Sequence, residues 1–405
     1  MIYNFILFYF CDKINLKISN KNILCRWRNK MDFRIDKEHE NFILKVREFT
    51  EKYVKPVAAE VDRKAEAPIE NIKKMGEEGL MGIPFDKKYG GAGFDTKTYI
   101  SAVEELSKGC ASTGVIMSAH ISLCAWPIYQ YGTEVQKERF LIPLAKGEKI
   151  GAFGWTEAQA GTRVTAVLNG ENYVINGKKV LITNALEAEI FVVFAKTDME
   201  KAENNISAFI IEKGTEGFSI GEPEDKMGVR GSSTCELIFE DCIVPKNNML
   251  GKVGEGFKIA MSTLNGGRIG VAAQAIGLAQ GALDEAIKYI KEREVNGKKV
   301  SQFQNTQFLI ADLQTRIDAA RLLVYKAADM KDRGEEYGYL ASMSKFLASE
   351  TAMKTTEKAV QLFGGNGYLK KYPVERMMRD AKVTEIYEGT SEVQKIVIAT
   401  WLGIK

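Results

Sequence analysis

The clearest chemistry in the sequence lies near its end, in the segment IYEGTSEVQK at residues 386–395. Glu388 precedes Gly389 where a helical pattern breaks, and Thr390 or Ser391 can cap the helix that follows. A carboxylate at such a break points into a junction between helices, and burial there would suit it to act as a general base. Without further context, a solvated residue at a helix end is the simpler interpretation of Glu388.

Other common catalytic signatures are missing from the sequence. It has no GxGxxG after a strand, no P-loop and no HExxH motif. With His39 and His120 as the only histidines, neither a Ser-His-Asp triad nor a metal site is expected. The six cysteines form no CxxC pair, which is typical of reduced, intracellular core residues.

Charge and hydropathy exclude further classes of protein. The formal net charge of +3 comes from residues 1–30, where six basic residues face Asp12 alone, so the remaining chain is slightly acidic. This balance argues against nucleic acid as a partner. The apolar run at residues 3–11 is too short to span a membrane and lacks a signal peptide's basic start. The leader is either a mitochondrial transit peptide or a mis-assigned start, with Met31 as the initiator.

Hydrophobic spacing divides the chain into three regions. Helical spacing up to about residue 145 gives way after Gly151 to a period of two, with an Asn176-Gly177 pair that predicts a hairpin. Long helical stretches follow. We expect an α+β, mostly α, fold with an extension (1–30), an N-terminal α-helical domain (31–150), a middle antiparallel β-domain (151–255) and a C-terminal four-helix bundle (256–405).

Five longer motifs carry a resemblance to a known family. In chain order they are YGGAGFDTKTYISAVEELSKGCASTGVIMSAHISLCAWPIYQYGT, KMGVRGSSTCELIFEDCIVP, NGGRIGVAAQAIGLAQGA, QLFGGNGY and IYEGTSEVQ. From Met31 to the C-terminus the sequence resembles the acyl-CoA dehydrogenase family, especially its short-chain, butyryl-CoA members. The resemblance implies an enzyme that binds FAD, forms a homotetramer (a dimer of dimers) and passes electrons to electron-transfer flavoprotein.

The resemblance also assigns the chemistry. Glu388 would take the α-proton of a short acyl-CoA while flavin N5 accepts the β-hydride, giving a trans-2-enoyl-CoA. The Glu388 backbone N–H and a ribityl hydroxyl of FAD would stabilise the charge on the thioester oxygen. Burial would raise the pKa of Glu388. The EGTSE context favours Glu388 over Glu385, and over a base on an earlier helix.

Binding residues follow from the same resemblance. Substrate would meet Tyr387 and Gly389 at the thioester and Asn265 and Arg268 near the CoA part. FAD would meet Phe153, Trp155, Thr156, Thr162, Ile182, Thr183 and Thr390 of one subunit, whereas Arg293, Gln304, Gln361, Gly364 and Gly365 would serve the FAD of a partner subunit.

Several positions around the flavin depart from the family pattern. Ala158 and Arg163 stand where relatives have Pro and Asp, in a segment several residues shorter than usual. Leu181 replaces an aromatic residue that covers the flavin, which would cost on the order of 1 kcal/mol, although Trp155 could supply an aromatic ring nearby. Asn265 replaces an Asp.

These departures leave alternatives open. One is a flavin-poor relative that binds acyl-CoA with impaired or no turnover, and another is an acyl-CoA oxidase that reacts directly with oxygen. For location we expect the bacterial cytoplasm, with the mitochondrial matrix as the alternative.

Overall fold

We describe a computed structural model of the chain over residues 36–159, 162–198, 200 and 205–404. The predictions for the leader, residues 1–30 and Met31, lie outside the described residues. A helical region is followed by a β-sheet and then by a second helical region. The predicted α+β fold with three successive parts is confirmed.

The N-terminal part is built from short helices. They are α1 (Lys37–Phe49), α2 (Ala58–Lys64), α3 (Ile69–Glu77), α4 (Thr96–Gly109), α5 (Ala111–Ser118), α6 (Trp126–Tyr131), α7 (Glu134–Gln136) and α8 (Ile142–Ala145). Asp36 and Asp95 begin α1 and α4, because their side chains accept hydrogen bonds from first-turn amides that have no partner within the helix. Helix α4 is almost wholly buried and forms the centre of this part.

One helical stretch among the described residues is long and apolar enough to cross a membrane. It runs from Ala111 to Tyr131 with a mean hydropathy of 1.2, and 94% of its most apolar window is buried inside the protein. We interpret this stretch as a core helix, because its apolar side chains are already covered by protein.

Within the described residues the middle part forms an eight-stranded sheet in the order β6-β7-β3-β2-β4-β5-β8, with β1 beside β4. The strands are β1 (Gly151–Gly154), β2 (Thr165–Asn169), β3 (Asn172–Thr183), β4 (Ile190–Lys196), β5 (Ile206–Glu212), β6 (Phe218–Ile220), β7 (Thr234–Pro245) and β8 (Met249–Leu250). Strand β4 runs parallel to β1 and β2, and the other pairings are antiparallel. The sheet is therefore mixed rather than wholly antiparallel, because the β2–β3 hairpin lies between β1 and β4 in the sequence and lets these two strands pair in the same direction.

The Asn176-Gly177 pair does not form the predicted hairpin. The chain reverses earlier, between Asn169 and Asn172, which pair across the β2–β3 turn. Asn176 and Gly177 lie inside β3 at a bulge, where the register against β7 shifts and Gly177 has a φ of 129°. The Asn176 side chain donates to the Asp241 carboxylate and accepts from its backbone N–H. Contacts with β7 thus accommodate the pair without ending the strand.

Alternating side chains of β4 belong to two apolar cores. Ile190, Val192 and Phe194 join the core shared with the helices, and Phe191, Val193 and Ala195 join a core on the opposite face of the sheet. This alternation is the period of two that the sequence shows.

The C-terminal part consists of α9 (Gly256–Glu292), α10 (Gln304–Asp332), α11 (Gly338–Phe363), α12 (Val374–Thr384) and α13 (Ser391–Trp401). A small hairpin, β9 (Glu294–Val295) and β10 (Lys298–Lys299), joins α9 to α10. Glycines bring α9 close to α4, since a Cβ on Gly277 would lie 2.2 Å from the carbonyl oxygen of Glu104. The predicted helical region is confirmed. Its described part has five α-helices, because a turn interrupts the last helical stretch between α12 and α13.

Candidate active site at the turn between α12 and α13

Glu388 lies in the turn that joins α12 to α13. Its φ is 54° and that of Gly389 is 93°, so two consecutive residues have left-handed backbones. For a residue with a side chain this conformation costs about 1–2 kcal/mol. The predicted cap is present, because the Thr390 side chain accepts a hydrogen bond from the Val393 amide.

The Glu388 carboxylate is enclosed between helices. Its Oε2 is buried and has no hydrogen-bond partner among the described residues. Burial raises the pKa of Glu388 to about 7, although the positive charges of Arg268 and Lys345 act in the opposite direction. A carboxylate with this pKa can accept a proton near neutral pH.

The backbone of the Glu388 turn is held by two buried side chains. The Gln394 Nε2 donates to the carbonyl oxygens of Glu388, at 3.2 Å, and Gly389, at 2.8 Å. The Lys345 Nζ also donates to the Gly389 carbonyl, at 2.8 Å. In the described part of the chain, by contrast, the Glu388 N–H has no acceptor.

Arg268 lies on α9 with only 8% of its surface exposed. Its Nη1 donates to Oδ1 of Asn265 at 2.9 Å and to Oγ of Ser342 at 3.4 Å, and its Nε is buried without a partner. Burial lowers the pKa of Arg268, and the charge of Glu388 opposes that effect. The two residues predicted to meet the CoA part are therefore in contact, and Arg268 also acts electrostatically on Glu388.

Tyr387 connects the same turn to α9. Its hydroxyl donates to Oε1 of Gln274, whose Nε2 donates to the carbonyl oxygen of Ala111 at 3.0 Å. Burial raises the pKa of Tyr387, and its hydroxyl is therefore a donor that fixes the turn rather than a proton acceptor.

The predicted cofactor residues of the β-domain lie in or just after β1 and at the end of β3, with Thr162 ahead of β2, and the Phe153 and Ile182 side chains belong to cores on opposite faces of the sheet. The Thr156 carbonyl accepts a hydrogen bond from the Val180 amide at 2.9 Å, which places Thr156 beside Leu181, Ile182 and Thr183. The side chains of Phe153, Thr162 and Ile182 are buried, whereas Thr156 is exposed.

An exposed apolar patch adjoins these residues. Leu181, where relatives have an aromatic residue, has a φ of 57° and is 61% exposed, and Phe257 is 55% exposed. The ring centroids of Trp155 and Phe257 are 6.3 Å apart. We define Trp155, Leu181 and Phe257 as the ring patch: the Trp155 and Phe257 rings are in contact, and Leu181 follows Val180, whose amide bonds to Thr156 next to Trp155. An apolar surface with exposed members suits a planar aromatic ligand.

A buried ion pair beneath the ring patch was missed by sequence reasoning. The Lys179 Nζ donates to Oε1 of Glu157 at 2.6 Å and to the Trp155 carbonyl at 3.2 Å, and both charged side chains are buried. The other Glu157 oxygen accepts from the Arg163 amide at 2.7 Å. Glu157 thereby fastens both ends of the shortened segment, in which Arg163 itself is exposed.

The residues predicted to serve a partner subunit lie at the far end of the bundle. Arg293, Gln304, Gln361, Gly364 and Gly365 are all exposed there. The ends of α9 and α11 meet at this point, since the Tyr289 and Phe363 rings stack 4.0 Å apart. From Gly267, which contacts Glu388, to Arg293 is 26 residues of helix, or about 39 Å. One dinucleotide cannot reach both places within a single chain.

His120 has a structural environment. It is completely buried, its Nδ1 accepts from the Gly151 amide at 3.0 Å, and its Nε2 contacts the Leu144 carbonyl at 3.1 Å. Burial lowers its pKa to about 4. The ring is therefore neutral and joins the helical part to β1.

Family models of known proteins match each of the three parts of the chain. Models of the N-terminal, middle and C-terminal domains of acyl-CoA dehydrogenase match residues 36–148, 152–242 and 254–403. The chain belongs to the acyl-CoA dehydrogenase family. Members of this family are oxidoreductases.

Individual relatives are similar over nearly their whole length. A short-chain specific acyl-CoA dehydrogenase of Clostridium acetobutylicum is 59% identical over 91% of this chain and 99% of its own. Butyryl-CoA dehydrogenase of Megasphaera elsdenii has a solved structure with 48% identity and a TM-score of 0.90, covering 92% of this chain and 100% of its own. A chain in a structure described as the electron transferring flavoprotein of Acidaminococcus fermentans gives 53% identity and a TM-score of 0.91, covering 92% and 99%.

Lys345 and Gln394 also escaped sequence reasoning. A lysine within a helical pattern is normally exposed, so the pattern alone gives no reason to single out Lys345. Its spacing contains the missing signal, because residues 341, 345, 348 and 352 lie on one face and the other three are alanines.

Proposed function

We propose that this protein is a short-chain acyl-CoA dehydrogenase that oxidises butyryl-CoA or a similar thioester to the trans-2-enoyl-CoA, with Glu388 as the base. The observation that carries the proposal is the buried Glu388 carboxylate, whose Oε2 has no partner in the described part of the chain and whose pKa is about 7. The relatives named for short-chain acyl-CoA dehydrogenation support the substrate class.

Glu388 supplies two groups to the reaction. Its carboxylate removes the α-proton of the thioester, and its backbone N–H donates to the carbonyl oxygen on which negative charge develops. The N–H is available because it has no acceptor among the described residues. Both groups belong to Glu388, so the conformation of the turn positions them together. Arg268 and Lys345 stabilise the carboxylate form, so that the base is partly ionised near neutral pH.

The described residues fit FAD as the cofactor. The ring patch is apolar, two of its three residues are aromatic, and Leu181 and Phe257 are exposed, which suits the face of an isoalloxazine ring. Thr156 and Thr183 would hold the ring, and Thr390 would lie towards the adenylate. When bound, FAD supplies the acceptor for the hydride that leaves the β-carbon.

A partner subunit completes the cofactor site. Arg293, with Gln304, Gln361, Gly364 and Gly365, would contact the FAD of a neighbouring chain, and the guanidinium of Arg293 suits a pyrophosphate. The distance of about 39 Å along α9 between Gly267 and Arg293 supports this division. We therefore propose a homotetramer arranged as a dimer of dimers.

We further propose electron-transfer flavoprotein as the electron acceptor. The similarity to a chain in the Acidaminococcus fermentans electron transferring flavoprotein structure supports this partner. We propose a cytoplasmic location, in keeping with the bacterial relatives, and do not propose a mitochondrial one.

The visible spectrum of the purified protein tests this function. Stoichiometric flavin absorbance that survives dialysis and is bleached anaerobically by butyryl-CoA is the expected result. Absorbance that dialysis removes would favour the flavin-poor acyl-CoA-binding protein instead. Reoxidation by oxygen as fast as by electron-transfer flavoprotein would favour an acyl-CoA oxidase.

A further inference from the structure

Lys345 is a buried cation to which the proposed reaction assigns no contact with substrate. It lies on α11, it is completely buried, and its Nζ reaches the Gly389 carbonyl at 2.8 Å. Taking an ammonium group out of water is unfavourable unless charges or hydrogen bonds compensate for the lost solvation. Burial of the Lys345 ammonium group therefore costs free energy. The hydrogen bond that compensates for it goes to Gly389, one residue from the base.

A second buried donor reaches the same turn from another helix. Gln394 on α13 is also completely buried, and its Nε2 lies within hydrogen-bond distance of the Glu388 and Gly389 carbonyls. These two residues have left-handed backbones, which are unfavourable for Glu388 in particular. Donors from α11 and α13 thus hold both carbonyls of a strained turn, while the Glu388 N–H stays free for a ligand.

Charged and titratable groups on several neighbouring helices act on the turn. Glu388 is influenced by Arg268 on α9 and by Lys345 on α11, and its own charge acts on Tyr99 on α4. Lys345 itself is influenced by Arg268 and by three acids, Glu385, Glu388 and Glu392. Burial lowers the pKa of Lys345 to about 8, so its ammonium form persists at neutral pH.

We propose that Lys345 is a positioning residue for the base: together with Gln394 it fixes the left-handed turn, and its ammonium charge favours the carboxylate form of Glu388. This inference rests on the proposed function, in which Glu388 takes the α-proton. Lys345 itself does not touch the reacting atoms.

The test uses the flavin-loaded protein without substrate. The carbonyl stretch of protonated Glu388, assigned in infrared spectra by difference from Glu388→Gln, gives the titration midpoint of that carboxyl. Hydrogen exchange of the amides in residues 385–391 reports how firmly the turn is held. The variants are Lys345→Met, Lys345→Gln and Gln394→Leu, with Lys354→Met as a matched control for a lysine on the same helix with a surface partner, Asp312.

The charge effect on Glu388 and the fixing of the turn should be distinguishable by these two measurements. Lys345→Met should raise the Glu388 midpoint by about one pH unit, since an opposite charge is lost, and should speed exchange in the turn by about tenfold. Lys345→Gln should raise the midpoint equally. Gln394→Leu should speed exchange without moving the midpoint, and the control should change neither. A midpoint shift is a response that a merely structural role would not give.

Unchanged midpoints in both Lys345 variants, or unchanged exchange in Gln394→Leu, would overturn the inference. If Lys345→Met does not fold, Lys345→Gln and Gln394→Leu decide by the same criteria. Failure of butyryl-CoA to bleach the wild-type flavin would refute the proposed function while leaving the midpoint shift to be read on its own. Glu388-dependent bleaching together with unmoved midpoints would refute this inference alone.

Discussion

The Glu388 carboxylate packs against Gly267 of α9, where a Cβ would lie 3.1 Å from Oε2 and 2.7 Å from Cδ2 of Leu123. Because glycine has no side chain, this position provides the space that the Glu388 carboxylate occupies. The neighbouring Gly266 is different, since a Cβ there would meet nothing closer than 3.5 Å.

Gly267→Ala should displace the base. We expect flavin reduction by butyryl-CoA to slow by about 10²-fold, because a small misplacement of a catalytic group is costly. Flavin content should be unchanged. Gly266→Ala is the matched control and should remain within about threefold of wild type. Equal rates in the two alanine variants, measured by stopped flow, would contradict the packing argument.

Glu388→Gln should change the pH dependence of stability. The folded-state pKa of about 7 exceeds the ordinary value of 4.5, so between these values the folded protein keeps a proton that the unfolded chain releases. Wild type therefore loses stability as pH rises through this window, and the variant does not. Compared with the difference at low pH, the free energy of unfolding of the variant should therefore gain on that of wild type by on the order of 3 kcal/mol by pH 8.

Thermal melts at pH 5 and pH 8 measure this difference. Glu392→Gln, which removes an exposed carboxylate four residues away, is the control and should show no such gain. A stability difference between wild type and Glu388→Gln that is the same at both pH values would contradict the raised pKa.

Asn265→Asp should make the base harder to ionise. The Arg268 Nη1 lies 2.9 Å from the Asn265 oxygen, so an Asp there would pair with Arg268 and offset the charge that favours ionised Glu388. The pKa of Glu388 should rise above about 7, and the acid limb of flavin reduction should move to higher pH by roughly one unit. Asn265→Ala, which adds no charge, should move it less; an unmoved limb in Asn265→Asp would contradict the account.

Breaking the buried Glu157–Lys179 pair under the ring patch should loosen the shortened segment that Glu157 holds. Glu157→Gln leaves the wholly buried Lys179 without its counter-ion, which should cost about 3–5 kcal/mol and lower FAD retention. Glu157→Gln/Lys179→Met should lose less stability than the two single changes together. Thermal melts and flavin content after dialysis provide the measurements, and additive losses in the double variant would show that the pair does not act as a unit.

Mixed oligomers test whether Arg293 serves a neighbouring chain. Arg293→Glu and Glu388→Gln should each abolish activity alone. In a mixed pair, the Arg293→Glu chain keeps its own Glu388 and borrows an intact Arg293, so activity should reappear at about one site in two. The two variants are co-expressed with different tags, and oligomers that carry both tags are assayed. If these oligomers stay inactive, either Arg293 acts on the FAD of its own chain or it does not act on FAD.

The fold and the turn that carries Glu388 were predictable from sequence because their signals are local, whereas the role of Glu388 as the base was implied by the family resemblance and stays a prediction. The change of period at Gly151 marks the sheet, and the break after Glu388 with a capping residue at Thr390 marks the turn. The Asn176-Gly177 signal failed because contacts with Asp241 on a distant strand decide its conformation. Of the two residues that hold the Glu388 turn, Gln394 lacks a local signal for the same reason, and Lys345 has only its place on a helix face with three alanines.

Burial also determines which charges matter, and it depends on how helices pack. The family resemblance predicts that Arg268 contacts the CoA part, but it does not show that Arg268 is buried against Asn265 and Ser342. Lys179 gains its role from Glu157, 22 residues away, across the sheet. A helical or strand pattern alone cannot supply such pairings.

The most direct test of the central claim is exchange of the substrate α-protons. The flavin-loaded enzyme is incubated anaerobically with butyryl-CoA in D₂O, and deuterium at the α-carbon is followed by NMR in wild type and Glu388→Gln. We predict that wild type introduces deuterium at this carbon and that Glu388→Gln, with equal flavin content, does so at least about 10²-fold more slowly. Exchange at the wild-type rate in the variant would contradict the assignment of Glu388 as the base.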